Sequence, residues 1–128
     1  MGFAFVDTNI LVYAVGREHP LREPAQVLLR ERLERQVPMA TSAEVLQELL
    51  HVFLPVGRDE TLEAALRLAG DLMTVWPIDG ADVLAARDLA VSQPGLGARD
   101  LVHLAVCRRY DVDELLSFDR ALVAAFGG

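Results

Sequence analysis

The chain has 128 residues, 52% of them hydrophobic, which predicts a single folded domain over residues 1–128 and excludes an intrinsically disordered chain. Twelve basic residues against nineteen acidic ones give a net charge of −7, opposite in sign to that of a general nucleic-acid-binding protein. Cys107 is the only cysteine and cannot form an internal disulfide, so we expect a reducing, cytoplasmic environment.

Short apolar runs alternate with amphipathic segments along the chain. Strands are expected at residues 3–6, 37–41, 74–78 and 114–118, and helices at 8–15, 21–36, 43–54, 59–73, 79–92, 98–110 and from 119 onward. Asp7 interrupts the first apolar run and no basic segment precedes it, so a signal peptide is not expected. No segment reaches the ~18 consecutive apolar residues that a membrane span requires.

The predicted order of elements is β-α-α-β-α-α-β-α-α-β-α. Strands that are short, apolar throughout and separated by helices are typical of a parallel sheet covered on both faces, so we expect an α/β fold. In open sheets of this kind, ligands bind beyond the carboxyl ends of the strands. The residues that follow the strands are therefore the first candidates for a functional site.

Four acidic residues occupy positions that this topology could bring to one edge of the sheet. Asp7 follows the first strand directly, and Asp119 follows the last. Asp100 lies in the first turn of the apolar helix before the last strand, and Glu48 lies at the margin of the apolar face of the helix at 43–54. Helix capping would also explain Asp7 and Asp119. The helix dipole would explain Asp100, and simple surface exposure would explain Glu48.

Carboxylates that converge without a lysine cannot all stay ionised side by side. Either their pKa values rise or a divalent cation neutralises them. A set of oxygen ligands favours Mg²⁺ or Mn²⁺ over Zn²⁺, and Mg²⁺ in proteins binds substrate phosphates as well as carboxylates. Convergence of the four acids would therefore predict metal-assisted hydrolysis of a phosphodiester.

Four segments around these acids resemble the motifs of PIN-domain nucleases. Residues 5–12 (FVDTNILV) resemble the opening strand and D-T-N turn, and residues 115–120 (LLSFDR) resemble the closing strand with its T/S-x-D turn. Residues 97–105 (GARDLVHLA) resemble the third motif, with Asp100 as its acid. Residues 42–49 (SAEVLQEL) resemble the second, whose functional acid follows the serine by six positions and is therefore Glu48 rather than Glu44. The four segments occur in the family's order over essentially the whole chain.

The resemblance implies a three-layer α/β/α sandwich with a short, mainly parallel sheet, and a ribonuclease that depends on Mg²⁺ or Mn²⁺. Asn9 would orient Asp7 or a phosphate. Ser117, at a position where threonine is commoner, would form a hydrogen bond near Asp119. The metal-binding and catalytic acids of the family correspond to Asp7, Glu48, Asp100 and Asp119.

The size of the chain and its lack of appended domains most resemble the VapC toxins of toxin–antitoxin pairs. Those toxins usually dimerise, and a VapB-type antitoxin silences them by inserting a segment beside the acidic site. The resemblance therefore implies an RNA substrate, an antitoxin partner and a homodimer, and no membrane association. With no lysine in the chain, the candidates for RNA contacts are Arg17, Arg22, Arg99 and Arg120.

Other enzymes with acids at strand ends fit the sequence less well. A phosphoryl-accepting receiver domain or a haloacid-type phosphatase needs a lysine, and all twelve basic residues here are arginine. A dinucleotide-dependent oxidoreductase would show G-x-G-x-x-G after the first strand, and this chain does not. The alternative that stays open is a PIN-fold module that binds RNA or a protein partner without cleaving RNA.

Several conspicuous residues are expected to be structural. His103 has largely apolar neighbours and no metal-ligand spacing, so it is predicted to be a packed or hydrogen-bonded helix residue. Trp76 is predicted to belong to the core. The acidic residues 111–114 predict a solvated turn. The apolar residues of the helix at 59–73 exceed the needs of a small core and are expected to supply a dimer face.

Overall fold

Four short parallel strands lie at the centre of the structure, a computed structural model that describes residues 2–128. The strands are β1 (Ala4–Val6), β2 (Met39–Ser42), β3 (Thr74–Trp76) and β4 (Glu114–Leu116). Their order across the sheet is β3-β2-β1-β4, and the three pairings are all parallel. Met1, with which the predicted domain begins, lies outside the described residues.

Helices pack around this sheet in two groups. The first group is α1 (Thr8–Val15), α2 (Arg22–Glu34), α3 (Ala43–Phe53) and α4 (Asp59–Leu72), and the second is α5 (Gly80–Ser92), α6 (Ala98–Arg109) and α7 (Arg120–Gly127). The predicted α/β/α fold and the predicted order of elements are confirmed. None of the helices within residues 2–128 is long and apolar enough to cross a membrane.

Polar side chains fix the start of several helices. The Ser42 hydroxyl accepts a hydrogen bond from the Val45 amide at 3.2 Å, as expected for a residue that caps α3. Asp79 and Asp82 form a reciprocal capping box at the start of α5, each carboxylate accepting from the other residue's amide. Gly57 ends the turn after α3 with a φ of 68°, a left-handed conformation that glycine adopts without a steric penalty.

The chain reverses its direction across the sheet between β3 and β4. It steps from β1 to β2 to β3 on one side, then returns to place β4 on the other side of β1. The carboxyl ends of β1 and β4 are joined by a hydrogen bond from the Asp7 amide to the Leu116 carbonyl at 3.0 Å. Such a reversal point leaves a crevice at the carboxyl edge where open α/β sheets bind ligands.

The core lies on both sides of β1 and centres on side chains that are fully buried. Phe5 in β1 has no exposed surface, and Trp76 at the end of β3 is 8% exposed. The Trp76 ring stacks on Tyr110 with centroids 4.0 Å apart and meets the edge of Phe3 at 5.1 Å. The prediction that Trp76 belongs to the core is confirmed, and the stack ties β3 to the end of α6.

The apolar residues of α4 are divided between the core and its edge. Ala65 and Ala69 are buried, and Leu66, Leu68 and Leu72 are half-buried and pack against the core. The dimer face expected on this helix stays a prediction. The most exposed large apolar side chains lie in α5 and after α3; they are Val83, Leu84, Val91, Leu54 and Val56.

The acidic residues 111–114 are only partly a solvated turn. Val112 is buried, and Glu114 enters β4. Both oxygens of the Glu114 carboxylate accept hydrogen bonds from the Arg32 guanidinium, each at 3.1 Å. This bidentate pair joins α2 to β4, which is an edge strand of the sheet.

Candidate active site

The four acids that the sequence singled out meet at the carboxyl edge of β1 and β4. They line one cavity of about 320 Å³, which we call the acidic cavity. It is lined by Asp7, Thr8, Asn9, Val12, Tyr13, Glu48, Val52, Asp100 and Asp119. The site therefore draws one acid each from the ends of β1 and β4 and from helices α3 and α6.

Asp7 is the most enclosed of the four acids, with 5% of its surface exposed. Its Oδ1 accepts a hydrogen bond from the Thr8 amide at 2.7 Å, where Asp7 caps α1. Its Oδ2 accepts from the Ser117 hydroxyl at 2.6 Å and from the Asn9 amide nitrogen at 3.3 Å. Three donors hold the carboxylate in one orientation, so capping accounts for only one of its two oxygens.

Asn9 and Ser117 form a small network that joins the ends of β1 and β4. The Asn9 side chain donates to Ser117 Oγ at 3.2 Å and accepts from the Phe118 amide at 3.1 Å. Ser117 Oγ also accepts from the Asp119 amide at 3.0 Å. The two residues therefore set the relative positions of Asp7 and Asp119.

Glu48 projects from α3 into the acidic cavity and is held through both oxygens. Thr8 Oγ1 donates to Oε2 at 2.7 Å, and His103 Nε2 lies 2.8 Å from Oε1. Burial opposes ionisation of Glu48, but the hydrogen bonds from His103 and Thr8 outweigh it and bring the pKa of the carboxyl below its usual value. Glu48 is therefore an ionised and oriented acceptor.

His103 lies at the base of the site and has only 1% of its surface exposed. Burial alone would lower the pKa of its imidazole, but the hydrogen bond to Glu48 and the charges of Asp7, Glu48 and Asp100 raise it above the usual value. Because Glu48 is ionised, His103 Nε2 is the donor of that bond. Its Nδ1 is buried and has no hydrogen-bond partner among residues 2–128.

His103 is the residue of the site that sequence reasoning left out. The prediction that it is packed and hydrogen-bonded is correct, yet its partner is one of the four acids. The signal that could have included it is its position three residues after Asp100 in α6, a spacing that places both side chains on the same face of the helix.

Asp100 and Asp119 complete the acidic lining and are both half-buried. Burial, followed by the charges of Asp119 and Asp7, raises the pKa of the Asp100 carboxyl to about 6. Asp119 caps α7 and accepts a hydrogen bond from the Leu122 amide at 3.1 Å. Asp100 is therefore a carboxyl that burial, and after it the neighbouring negative charges, make harder to ionise.

The donor atoms of the site fit a divalent cation. One ligand atom each from Asp7, Glu48 and His103 lies within 4.8 Å of the others, and further carboxylate oxygens from Asp100 and Asp119 line the same cavity. Oxygen donors predominate, which suits Mg²⁺ or Mn²⁺. A cation would also compensate the charges of Asp119 and Asp7 which, after burial, raise the pKa of Asp100.

The four candidate arginines lie outside the hydrogen-bonded site. Arg17, Arg99 and Arg120 are exposed, and Arg22 is half-buried. None of the four pairs with a carboxylate within 4.0 Å in the described part of the chain. Arg99 is near enough to contribute to the lowered pKa of Glu48, whereas Arg22 lines a separate cavity.

The parallel α/β/α sandwich and the acidic cavity at the reversal point of its sheet are the features that indicate which family the chain belongs to. The family model of the PIN domain matches residues 4–126, and the chain belongs to the PIN domain family. The resemblance carried by the four sequence motifs is confirmed.

Relatives within the family are close in sequence and in length. The chain is 53% identical to Ribonuclease VapC23 of Mycobacterium tuberculosis over 95% of this chain and 97% of that protein. Among solved structures, it superposes on VapC20 of Mycobacterium tuberculosis, described as a Sarcin-Ricin loop cleaving toxin, with a TM-score of 0.78 and 20% identity over 95% and 94% of the two chains. It also matches VapBC2 of Rickettsia felis, bound to a DNA fragment from its promoter, with a TM-score of 0.62 and 16% identity over 91% and 99% of the chains. These two likenesses support the fold.

Proposed function

We propose that this protein is a Mg²⁺- or Mn²⁺-dependent endoribonuclease, with residues 1–128 acting as one PIN domain. The observation that carries the proposal is the convergence of Asp7, Glu48, Asp100 and Asp119 on one cavity. Accidental placement of four helix caps and surface acids would not bring them together. The 53% identity to a protein named as a ribonuclease supports the activity.

In this proposal, the four acids would bind the cation together, each with a different role. Asp7 and Asp100 hold the principal ion, and Glu48 and Asp119 complete the site and orient the attacking water. A bound ion would supply Lewis-acid activation of that water and stabilise the leaving oxygen. The product is a hydrolysed phosphodiester in single-stranded or loop RNA.

The neighbouring residues keep the acids in place. Ser117 and Asn9 fix one Asp7 oxygen, and Thr8 and His103 fix the two Glu48 oxygens. Each of these contacts already restricts the rotamers of a carboxylate, so less conformational entropy is lost when a cation binds. We therefore assign them positioning roles rather than contact with the reacting atoms.

The biological role that we propose is that of a cytoplasmic, homodimeric toxin controlled by a VapB-type antitoxin. The support is the similarity to VapC23 in sequence and to a VapBC2 complex in fold. An antitoxin would have to cover or neutralise the acidic cavity. Co-purification with the product of a neighbouring gene, and loss of toxicity on co-expression, would test this role.

The activity is tested by incubating the purified protein with a pool of structured and unstructured RNA. Reactions in Mg²⁺, Mn²⁺ and excess chelator are compared, with Asp7→Asn purified in parallel as the control for contaminating nucleases. We expect cleavage that requires the metal and is lost in Asp7→Asn. Calorimetric titration with Mn²⁺ gives a second readout, because the variant should also bind the ion more weakly.

Absence of cleavage by a folded, antitoxin-free protein would contradict the proposed activity on the RNAs tested. Mn²⁺ binding that depends on Asp7 would then limit the failure to the choice of RNA. RNA affinity without Mn²⁺ binding would instead favour the non-catalytic PIN-fold module.

A further inference from the structure

The packed rings of Tyr13 and His19 form an aromatic pair beside the acidic cavity, on the side of α1. Tyr13 lines the cavity and meets the edge of Phe118 with ring centroids 5.9 Å apart. On its other side, the Tyr13 ring packs against His19, with centroids 4.5 Å apart and the planes inclined by 32°. His19 lies in the loop between α1 and α2 and is exposed, so the pair extends from the candidate active site to the surface.

The His19 ring is held in one orientation although it is exposed. Its Nδ1 accepts a hydrogen bond from the Leu21 amide at 3.0 Å. This bond ties the ring to the backbone of its own loop and restrains its orientation. Tyr13 covers part of the ring, and the remainder forms a preorganised aromatic surface in contact with solvent.

A second cavity of about 680 Å³ lies beyond this ring. His19 lines it together with Gln26, two arginines (Arg22 and Arg30) and two glutamates (Glu18 and Glu23). Arg22 is the first residue of α2, where the helix dipole disfavours a cation. Among residues 2–128, its guanidinium pairs with no carboxylate within 4.0 Å, and its Nε is buried without a hydrogen-bond partner. The local structure therefore does not account for this arginine.

We propose that His19 and Arg22 form a binding subsite for an unpaired nucleotide of the RNA, next to the phosphate that lies in the acidic cavity. The nucleobase stacks on the His19 ring, and a backbone phosphate contacts Arg22. Base stacking on an aromatic side chain accepts any base but requires it to be unpaired. Because the protein has a net charge of −7, binding a backbone phosphate requires a positively charged side chain in contact with it. This subsite depends on the proposed RNA substrate, but its test does not depend on cleavage.

The aromatic surface is tested with His19→Leu and His19→Phe. Both substitutions remove the hydrogen bond to the Leu21 amide, so a difference between them isolates the aromatic face. The probe is a fluorescein-labelled single-stranded adenylate decamer, whose affinity is measured by anisotropy in Mg²⁺ in the Asp100→Asn background. We expect His19→Leu to weaken binding by about five-fold or more and His19→Phe to stay within about two-fold of the parent. The same decamer in an RNA duplex should bind more weakly to the parent.

The phosphate contact is tested with Arg22→Gln against Arg87→Gln, which neutralises an exposed arginine on α5. We expect Arg22→Gln to weaken binding and to reduce the slope of log affinity against log salt by about one, while Arg87→Gln leaves both unchanged. Circular dichroism checks that each variant is folded.

Equal affinities for the His19→Leu and His19→Phe proteins, or a parent protein that does not bind the decamer, would overturn the subsite. Cleavage by the wild-type protein in the same preparation would leave the nuclease proposal standing in either case. Conversely, His19-dependent binding without cleavage in any metal would support the subsite and contradict the proposed cleavage of the RNAs tested.

Discussion

His103 donates a hydrogen bond from Nε2 to Oε1 of Glu48 over 2.8 Å, across the gap between α6 and α3. The same nitrogen lies 3.7 Å from Oδ1 of Asp7. A single buried imidazole therefore touches one acid by a hydrogen bond and faces a second. The contact restrains Glu48, which supports a positioning role for His103, and its variants test that role against direct ligation of a cation.

We expect His103→Leu to weaken Mn²⁺ binding by about 10- to 100-fold, because loss of a residue that orients a ligand has effects of this size. His103→Gln should retain most of the affinity, since an amide nitrogen can replace the donor to Glu48. Isothermal titration calorimetry with Mn²⁺ measures both, and circular dichroism confirms the fold. Equal losses in the two variants would show that the imidazole binds the ion itself.

Asp119 provides a test of the distinction between capping and function. Asparagine caps helices about as well as aspartate, so Asp119→Asn should change the free energy of unfolding by less than about 0.5 kcal/mol while abolishing RNA cleavage. Asp119→Ala should lose about 1 kcal/mol of stability as well. Urea denaturation and the cleavage assay measure the two effects. Asp79→Asn, at the cap of α5, is the matched control and should leave cleavage intact.

In the metal-free protein, the contribution of Asp100 to the free energy of unfolding should fall as the pH rises. The pKa of its carboxyl is about 6 in the folded protein and near 3.8 in the unfolded chain, so the folded state binds the proton more tightly. The stability that this group contributes is therefore lost as the pH rises from about 4 to about 6. We expect Asp100→Asn to be more stable than the wild-type protein at pH 8 in chelator, with the advantage shrinking towards pH 4.

Urea denaturation in chelator at pH 4, 6 and 8 measures this difference. Asp59→Asn is the control, because it neutralises an exposed first-turn acid on α4. With excess Mn²⁺ at pH 8, the wild-type protein should be more stable than Asp100→Asn, because it binds the cation more tightly. A stability advantage of Asp100→Asn that does not vary with pH would contradict the raised pKa.

Glu114 should stabilise the fold through Arg32 and lose this effect in acid. The hydrogen bonds from Arg32 lower the pKa of the Glu114 carboxyl, so its contribution is present above the ordinary value of 4.5 and is lost as the pH falls below it. At pH 7, we expect Glu114→Gln to lower the free energy of unfolding by about 1 kcal/mol.

Glu31→Gln is the internal comparison for this pair. Glu31 contacts the same guanidinium by one bond at 3.4 Å and its side chain is 53% exposed, whereas that of Glu114 is 36% exposed. Its loss should be smaller, since exposed single ion pairs contribute little. Urea denaturation at pH 7 and pH 3.5 measures both variants, and equal losses at pH 7 would contradict the role of the bidentate geometry.

Local patterns in the sequence were sufficient to predict the order of the elements and the parallel sheet. The apolar run before Asp7 forms a buried strand and the nearly apolar segment of α6 forms a largely buried helix, as their sequences indicate. The predicted helix starts at residues 43 and 79 lie within one residue of the observed ones, because caps such as Ser42 and Asp79 act on their neighbours in the chain.

Interactions between distant segments could not be predicted in the same way. His103 has apolar neighbours in its own helix, and its partner Glu48 is 55 residues away. Glu114 lies in an acidic run that suggests solvent exposure. In the structure it accepts two hydrogen bonds from Arg32, which is 82 residues earlier in the chain. Local hydrophobicity reports burial, whereas these contacts depend on how the helices and strands meet.

The pairing of β1 with β4 has a consequence for the timing of assembly. These neighbours are the first and last strands of the chain, and Asp7 receives its 2.6 Å hydrogen bond from a residue 110 positions later. The acidic cavity therefore cannot form until synthesis has passed Asp119, because Ser117 orients Asp7 and Asp119 lines the cavity. A nascent chain that has not yet reached β4 lacks one of the three hydrogen bonds to the Asp7 carboxylate and the bond from the Asp7 amide to Leu116, so the residues of the first strand wait for those of the last before the site can form.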